Sequence, residues 1–517
     1  MVGISHIRKS EEALADLAAP DGRARCSFPR RCWWLFVLGW IGLLLPRGAF
    51  ANSPDVAAAL IEALGDAEPA QLNSFVTTHF SAAALADYPA RSWTRALLIA
   101  AKESGGLRDW HLDGDADDVT VSGRTQATGL PITGHIWLDP KDRGKIRGLQ
   151  LTRDQLARTA DAPVWPEQVI GDHEIEVAIN KEIDWRASND RFSGVVLVAH
   201  GDDILLERAV GWADAGRKRE NRASDRFALA SLGKMFTAVA VAQLVETGKL
   251  SLDEPIGRLL PTYPDPQLAQ SITPRQLLSH TSGLGELHLT TPGVWRDFER
   301  GAGPGEMLHH LAGVTQEFSP GAGYSYSSAG FLVLGALIEA AGGTPYKDRI
   351  HALVFRPAGM VDALFPEPGR RPVRAAEGLT FAPDDPFGLR ARIGNGMSVP
   401  IFSGPASGTY ATAHDLFCFM RALLEGRLIA SDTLRTFTDG LSPTWDKLGL
   451  YALGFIERRT SRGRMFGHAG GAGSAGINDV VWSSADGAWT VVVLSNYDAP
   501  IAVDLGTGIM DFVMGAE

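Results

Sequence analysis

Phe227-Ala228-Leu229-Ala230-Ser231-Leu232-Gly233-Lys234 runs directly into Met235-Phe236-Thr237-Ala238-Val239-Ala240-Val241-Ala242-Gln243-Leu244-Val245-Glu246-Thr247-Gly248. Past Ser231 the run is apolar on nearly every side and holds no proline, which predicts a helix buried inside a large domain. Gly248 supplies its C-terminal stop. Ser231 is expected in the first turn, among backbone N–H groups that have no helical partner, and Lys234, three residues on, shares its face. A serine needs a neighbour to take its proton before it can attack a carbonyl. A partly desolvated lysine has a lowered pKa and can do so. Standing alone, the same spacing also describes a capped helix with a solvated lysine, so the rest of the chain has to decide.

Downstream, Thr273-Pro274-Arg275-Gln276-Leu277-Leu278 reads as a short helix with its cap and first-turn proline, and leads into Ser279-His280-Thr281-Ser282-Gly283-Leu284. In Pro320-Gly321-Ala322-Gly323-Tyr324-Ser325-Tyr326-Ser327-Ser328, a tight turn opens a helix over 329–341 and can aim a phenol into a cleft. Residues 361–411, rich in Pro, Gly and Arg, read as long loops over that cleft. Thr412 and Asp415 have capping-box spacing and open the helix that holds Cys418. Strands follow around 462–468, 476–482 and 488–495, then a closing helix over 501–514. Gly467-His468-Ala469-Gly470-Gly471 lies near the end of the first of these strands. Small residues there let a substrate lie against the strand, and the Gly471 amide can donate to an oxyanion. Upstream, a helix over 174–186 precedes a hairpin of 192–199 and 204–210. The fold class is α+β. An antiparallel sheet, begun by the hairpin and completed by the C-terminal strands, is flanked by helices, with an all-helical lobe inserted between.

Four segments are expected: a leader over 1–51, an accessory α+β domain over 52–153, a linker over 154–170 and the large domain over 171–517. Arg23, Arg25, Arg30 and Arg31 precede an apolar run over 32–46, and Ala49-Phe50-Ala51 supplies a small-x-small cleavage site. The run is shorter than the roughly 20 residues a spanning helix needs, so a cleaved export signal is expected, with membrane attachment only through an uncleaved leader. The accessory domain reads as helices over 54–104, then alternating strands at 118–121, 132–138 and 145–151. In layout it resembles the cone-shaped nuclear-transport-factor-2-like modules. Its His111, Asp113 and Asp115 have no metal-site spacing and read as solvated turn residues.

A chain of 517 residues holds two or three domains. Its net charge of −11, with no basic run after the N-terminus, excludes a phosphate-binding surface and with it nucleic acid as a partner. Two of the three cysteines lie in the leader, so no intrachain disulfide follows export and Cys418 is a core residue. No His-Glu-x-x-His occurs, and adjacent His309 and His310 on one helix are not expected to face one ion, so neither metal nor cofactor is expected. Oligomeric state is not legible.

Ser231-x-x-Lys234, Tyr326-x-Ser328 and His468-x-Gly470, in that order and separation, resemble the serine β-lactamase superfamily. The branch is that of the class C β-lactamases, D-Ala-D-Ala peptidases and related esterases. The match extends to the 279–284 stretch, the Pro320-Gly321 lead-in and Leu494-Ser495-Asn496, and covers about 175–515. The resemblance implies that Ser231 forms an acyl-enzyme, that Lys234 and Tyr326 share its proton, and that the amides of Ser231 and Gly471 hold the oxyanion. Gly470, Ser328 and His468 then border the substrate. Members that process β-lactams usually have Asn in place of Ser328 and Lys-Thr-Gly in place of His468-Ala469-Gly470. Losing that lysine costs on the order of 1.5–3 kcal/mol toward a carboxylate. A small ester or amide is therefore expected as substrate. A β-lactam or D,D-peptide remains the alternative, and a non-catalytic ligand sensor on the same scaffold the rival from another class.

Overall fold

The computed structural model describes residues 53–515 except 66–67, 115–116, 143, 168–170, 288–292, 383–384, 386–390, 397–402, 445–447 and 473–474. The leader read over 1–51 lies outside the described residues. The chain divides into two compact units, Met1–Asp154 with Phe381–Ala391 and Gln155–Thr380 with Arg392–Glu517.

In the first unit, helices Ser53–Gly65, Pro69–His79, Ala82–Asp87 and Ala90–Ser104 precede a four-stranded antiparallel sheet in chain order. Val119, Val121, Ile136 and Leu138 point from the sheet into a core shared with Leu60, Leu64 and Leu97 of the helices. The first strand, Leu107–Gly114, is not legible as one: only Leu107 is buried, and a bulge between Arg108 and His111 breaks the period of two. His111 and Asp113 are exposed residues of this strand rather than of a turn.

The second unit is built on eight antiparallel strands. Their spatial order is Ser442–Pro443, Leu450–Tyr451, Ile456–Thr460, Gly463–Ala472, Ile477–Ser484, Trp489–Ser495, Gly194–His200 and Asp203–Val210. Trp489–Ser495 pairs with Gly194–His200, joining the C-terminal strands to the N-terminal hairpin as expected. The central strands are buried on both faces and their alternation sorts the core. Val196, Val198, Val480, Trp482, Val491 and Val493 face the helices Asp172–Ser188 and Ile501–Val513. Val195, Leu197, Val481, Val492 and Leu494 face the helical lobe. Fully burying each such side chain contributes about 1.5–3 kcal/mol over leaving it in water.

The helix Gly233–Glu246 runs through that second core with eleven of its residues buried, which explains an apolar surface on all sides. It starts two residues later than Ser231. Ser231 instead lies on a turn, where the Lys234 amide donates to the Ser231 carbonyl at 3.0 Å. On its other side the short strand Phe227–Leu229 pairs with Thr409–Ala411, so the 361–411 region supplies a strand as well as loops. Ser231 is thus held between a paired strand and a buried helix.

Candidate active site

Ser231 is partly exposed, whereas Lys234 is fully buried. Lys234 Nζ lies 3.1 Å from Ser231 Oγ and 3.1 Å from the Ala406 carbonyl oxygen, to which it donates. One turn further on, Thr237 Oγ1 donates to the Pro405 carbonyl at 2.6 Å, fixing the loop that carries Ala406. Burial brings the Lys234 pKa down to about 7, against a smaller opposing effect of the Glu286 carboxylate. An amine so placed is substantially neutral at pH 7 and has a lone pair for the serine proton.

The half-buried ring of Tyr326 lies with its centroid 4.8 Å from Lys234 Nζ, and Phe331 closes the other side at 5.4 Å. Behind Tyr326, His280 sits at 4.1 Å and Tyr451 edge-on at 5.9 Å between centroids. His280 is buried in a left-handed backbone conformation, φ 58°. Its Nδ1 accepts the Ser327 N–H at 3.1 Å, and burial beside Lys234 keeps the ring neutral. Histidine 280 therefore positions the turn that carries Tyr326, a role not read from the sequence. Replacing it by leucine removes that acceptor and is expected to lower kcat by about ten- to a hundredfold with KM little changed. An unaltered kcat would show that the turn holds without it.

Ser328 opens the helix Ser328–Gly342, which Ser327 caps through the Gly330 N–H. The Ser328 N–H donates at 2.8 Å to Glu286, an exposed carboxylate also not singled out in the sequence. A negative charge at this helix N-terminus is stabilised by the helix dipole.

Gly470 abuts the nucleophile turn. A Cβ there would come within 3.0 Å of the Ser231 backbone nitrogen and of Leu232 Cδ1, so only glycine leaves the Ser231 amide clear. Gly471, the next residue, is exposed. The strand Ile456–Thr460 pairs with its neighbour only as far as Gly467, and among the described residues no strand covers 468–472 on that edge. His468 departs from the expectation that it borders the substrate. It is buried, its Nε2 accepts from the Tyr451 hydroxyl at 3.0 Å, and its Nδ1–H donates to the Ala469 carbonyl at 2.6 Å. Desolvation and the nearby Lys234 lower its pKa to about 3, so it carries no charge to offer a substrate carboxylate.

The reading of His309 and His310 also needs correction. They lie on a 3-10 helix, Leu308–Gly313, with ring centroids 3.8 Å apart, and both approach Asp297. Successive side chains of a 3-10 helix leave its axis about 120° apart, so it is the side-chain torsions, not the winding, that swing both rings to one carboxylate.

The site thus brings Ser231, Lys234, Tyr326 and Gly470 together, with Ser328 and Gly471 beside them. A family model described as Beta-lactamase matches residues 178–509. The chain belongs to the beta-lactamase family. It is a serine hydrolase of that family, in the α+β fold expected. Penicillin-binding protein 4* of Bacillus subtilis (strain 168) is 30% identical over 315 residues, 59% of this chain and 68% of that protein. Esterase EstB of Burkholderia gladioli is 35% identical over 270 residues, 46% of this chain and 67% of the esterase. Among solved structures, a penicillin binding protein from Bacillus halodurans superposes with a TM-score of 0.54 at 26% identity, covering 66% of this chain and 99% of that one. The matched region of this family member holds every residue of the site and begins after Asp154, where the longer segment of the first unit ends.

Proposed function

We propose that this beta-lactamase-family hydrolase cleaves a small ester or amide through an acyl-enzyme on Ser231. The observation that carries the reading is the 3.1 Å approach of a fully buried lysine amine to the serine hydroxyl. The Ser231 proton passes to Lys234 Nζ as Oγ bonds to the substrate carbonyl carbon. Tyr326 shares that proton and returns it to the departing alcohol or amine as the carbon–leaving-group bond breaks. The Ser231 and Gly471 amides serve as oxyanion donors, each worth roughly 2.7–4 kcal/mol when removed. Water, activated by the same basic groups, then releases the acid.

Two features favour an uncharged or cationic substrate over a penicillin-like acid. The His468 ring is neutral and buried, and the carboxylate whose charge acts on Lys234 is the exposed Glu286. Esterase EstB as a relative supports the ester reading. The similarity to penicillin-binding protein 4* supports the second reading, a β-lactam or D,D-peptide substrate. A chromogenic acyl ester is expected to turn over faster than a chromogenic cephalosporin, and Glu286→Gln to narrow the gap severalfold by removing repulsion from the acid. Faster cephalosporin hydrolysis by the unaltered enzyme would overturn the ester preference. An adduct on Ser231 that forms and never clears would favour the non-catalytic sensor instead. The basic residues, apolar run and Ala49-Phe50-Ala51 support export to the periplasm or beyond, which signal cleavage after Ala51 in the secreted protein would test.

A further inference from the structure

We propose that Asp297, His309 and His310 form a binding site for one divalent transition-metal ion of the zinc class, separate from the serine chemistry. Asp297 Oδ2 lies 2.9 Å from His310 Nε2 and 3.5 Å from His309 Nε2, and the three ligand atoms all fall within 4.8 Å of one another. Zinc bound tetrahedrally at 2.0–2.2 Å holds its ligand atoms about 3.3 Å apart. The His309 pair already has that spacing, and the His310 pair reaches it by opening a few tenths of an ångström as the Nε2 proton is released to solvent and Nδ1 keeps or takes up the other.

Ordinary packing explains part of the cluster and fails at His309. Asp297 Oδ1 accepts from Arg300 Nε at 3.0 Å, and Oδ2 accepts from His310 Nε2 at 2.9 Å. These two contacts hold the carboxyl below the usual carboxylate range. His309 packs its ring on that of His310 but adds no hydrogen bond to the carboxylate. Its Nδ1–H donates to the Glu306 carbonyl at 2.8 Å, which leaves Nε2 as the nitrogen able to ligate. That nitrogen faces the Asp297 carboxylate oxygen at 3.5 Å, longer than an N–H···O hydrogen bond, and the gap suits a cation held between them. A backbone carbonyl that ties down the far nitrogen of a ligand histidine is the usual outer layer around a metal, fixing the tautomer that ligates.

Exposure suits an ion with open positions. The His310 and Asp297 side chains are 8% and 16% exposed, whereas His309 is 60% exposed and leaves room for water. Arg300 opposes the ion by its charge, and Glu306, which accepts from Arg300 at 2.8 Å, offsets part of that opposition. The ion would join the helix Val294–Glu299 to the turn Leu308–Gly313. Trp295, Phe298 and Glu299 of that same helix wall a cavity of about 250 Å³, whose other wall includes Phe227 and Ala228 of the strand leading into Ser231. Pinning the helix would hold that wall in place.

The test uses the full chain, dialysed against a chelator and titrated with zinc chloride in competition with a chromophoric chelator. One ion per chain is expected to bind, with the unfolding midpoint rising by several degrees at saturation. His309→Ala, at an exposed position where folding is not at stake, and Asp297→Asn are each expected to weaken binding at least tenfold and to remove the thermal shift. Zinc uptake of equal affinity in the His309→Ala protein, or no stoichiometric uptake by the unaltered one, would overturn the proposal.

Discussion

Ser231→Ala is expected to lower kcat/KM by roughly 10⁴–10⁶-fold and to abolish covalent labelling by an acylating probe, with the fold unchanged. The size follows from what remains. Without Oγ no acyl-enzyme forms, and only substrate binding and the oxyanion donors can assist attack by water. Stability should barely move, because Ser231 is partly exposed and what its hydroxyl gives up among the described residues is the hydrogen bond with Lys234 Nζ at 3.1 Å. Such a hydrogen bond contributes about 0.5–1.5 kcal/mol. Intact-mass spectrometry across an ester, peptide and β-lactam panel reads the adduct directly, and circular dichroism checks the fold. A mass increment that survives the substitution would place the nucleophile on another residue.

The parts of the molecule legible in the sequence are those whose pattern is local. Ile477–Ser484 and Trp489–Ser495 alternate or run apolar over seven or eight residues, and Gly233–Glu246 is a long unbroken apolar helix. The capping box at Thr412 and Asp415 is formed as spaced. The two-residue strands Ser442–Pro443 and Leu450–Tyr451 are too short to show a period, and they exist because Ile456–Thr460 templates them. The same distinction divides the site. Ser231 and Lys234 are three residues apart and announce themselves, but the second partner of Lys234 is the Ala406 carbonyl, 172 residues along. A backbone oxygen on a Pro/Gly/Ser loop has no side-chain signature. His280 and Glu286 are equally silent: the first acts through Ser327, 47 residues on, and the second through a backbone amide of the tyrosine turn. For His468 the sequence gives position but not depth. Its placement at the lysine position of related enzymes suggests a side chain bordering the substrate, and the hydroxyl of Tyr451 and the carbonyl of Ala469 absorb both ring nitrogens instead.

Lys234→Met is expected to remove activity and stabilise the protein together. Proton transfer by a positioned base contributes about 10²–10⁴-fold, so kcat/KM should fall by that factor. In the unaltered enzyme, rate should rise with pH through a midpoint of about 7, where burial has brought the lysine, and level off above it, since only the neutral amine accepts the Ser231 proton. The methionine variant should lose that limb. Stability runs the other way. The amine titrates near its ordinary 10.5 when unfolded and at about 7 when folded, so the folded chain binds fewer protons between these values. Above the higher value both states are neutral and burial carries no ionic cost. As pH falls toward 7 the unfolded chain gains the proton first and the fold loses stability, reaching a deficit of about 5 kcal/mol that grows little further below pH 7. Methionine fills the same space without a charge, and it offsets part of this gain by leaving the Ala406 carbonyl without its donor, at a cost of about 1–3 kcal/mol. The urea midpoint of Lys234→Met should therefore exceed that of the unaltered protein at pH 6–7, and the difference should shrink toward pH 10. A variant that is less stable at pH 7, with a difference independent of pH, would mean that the lysine keeps its proton in the fold and that another group starts the reaction.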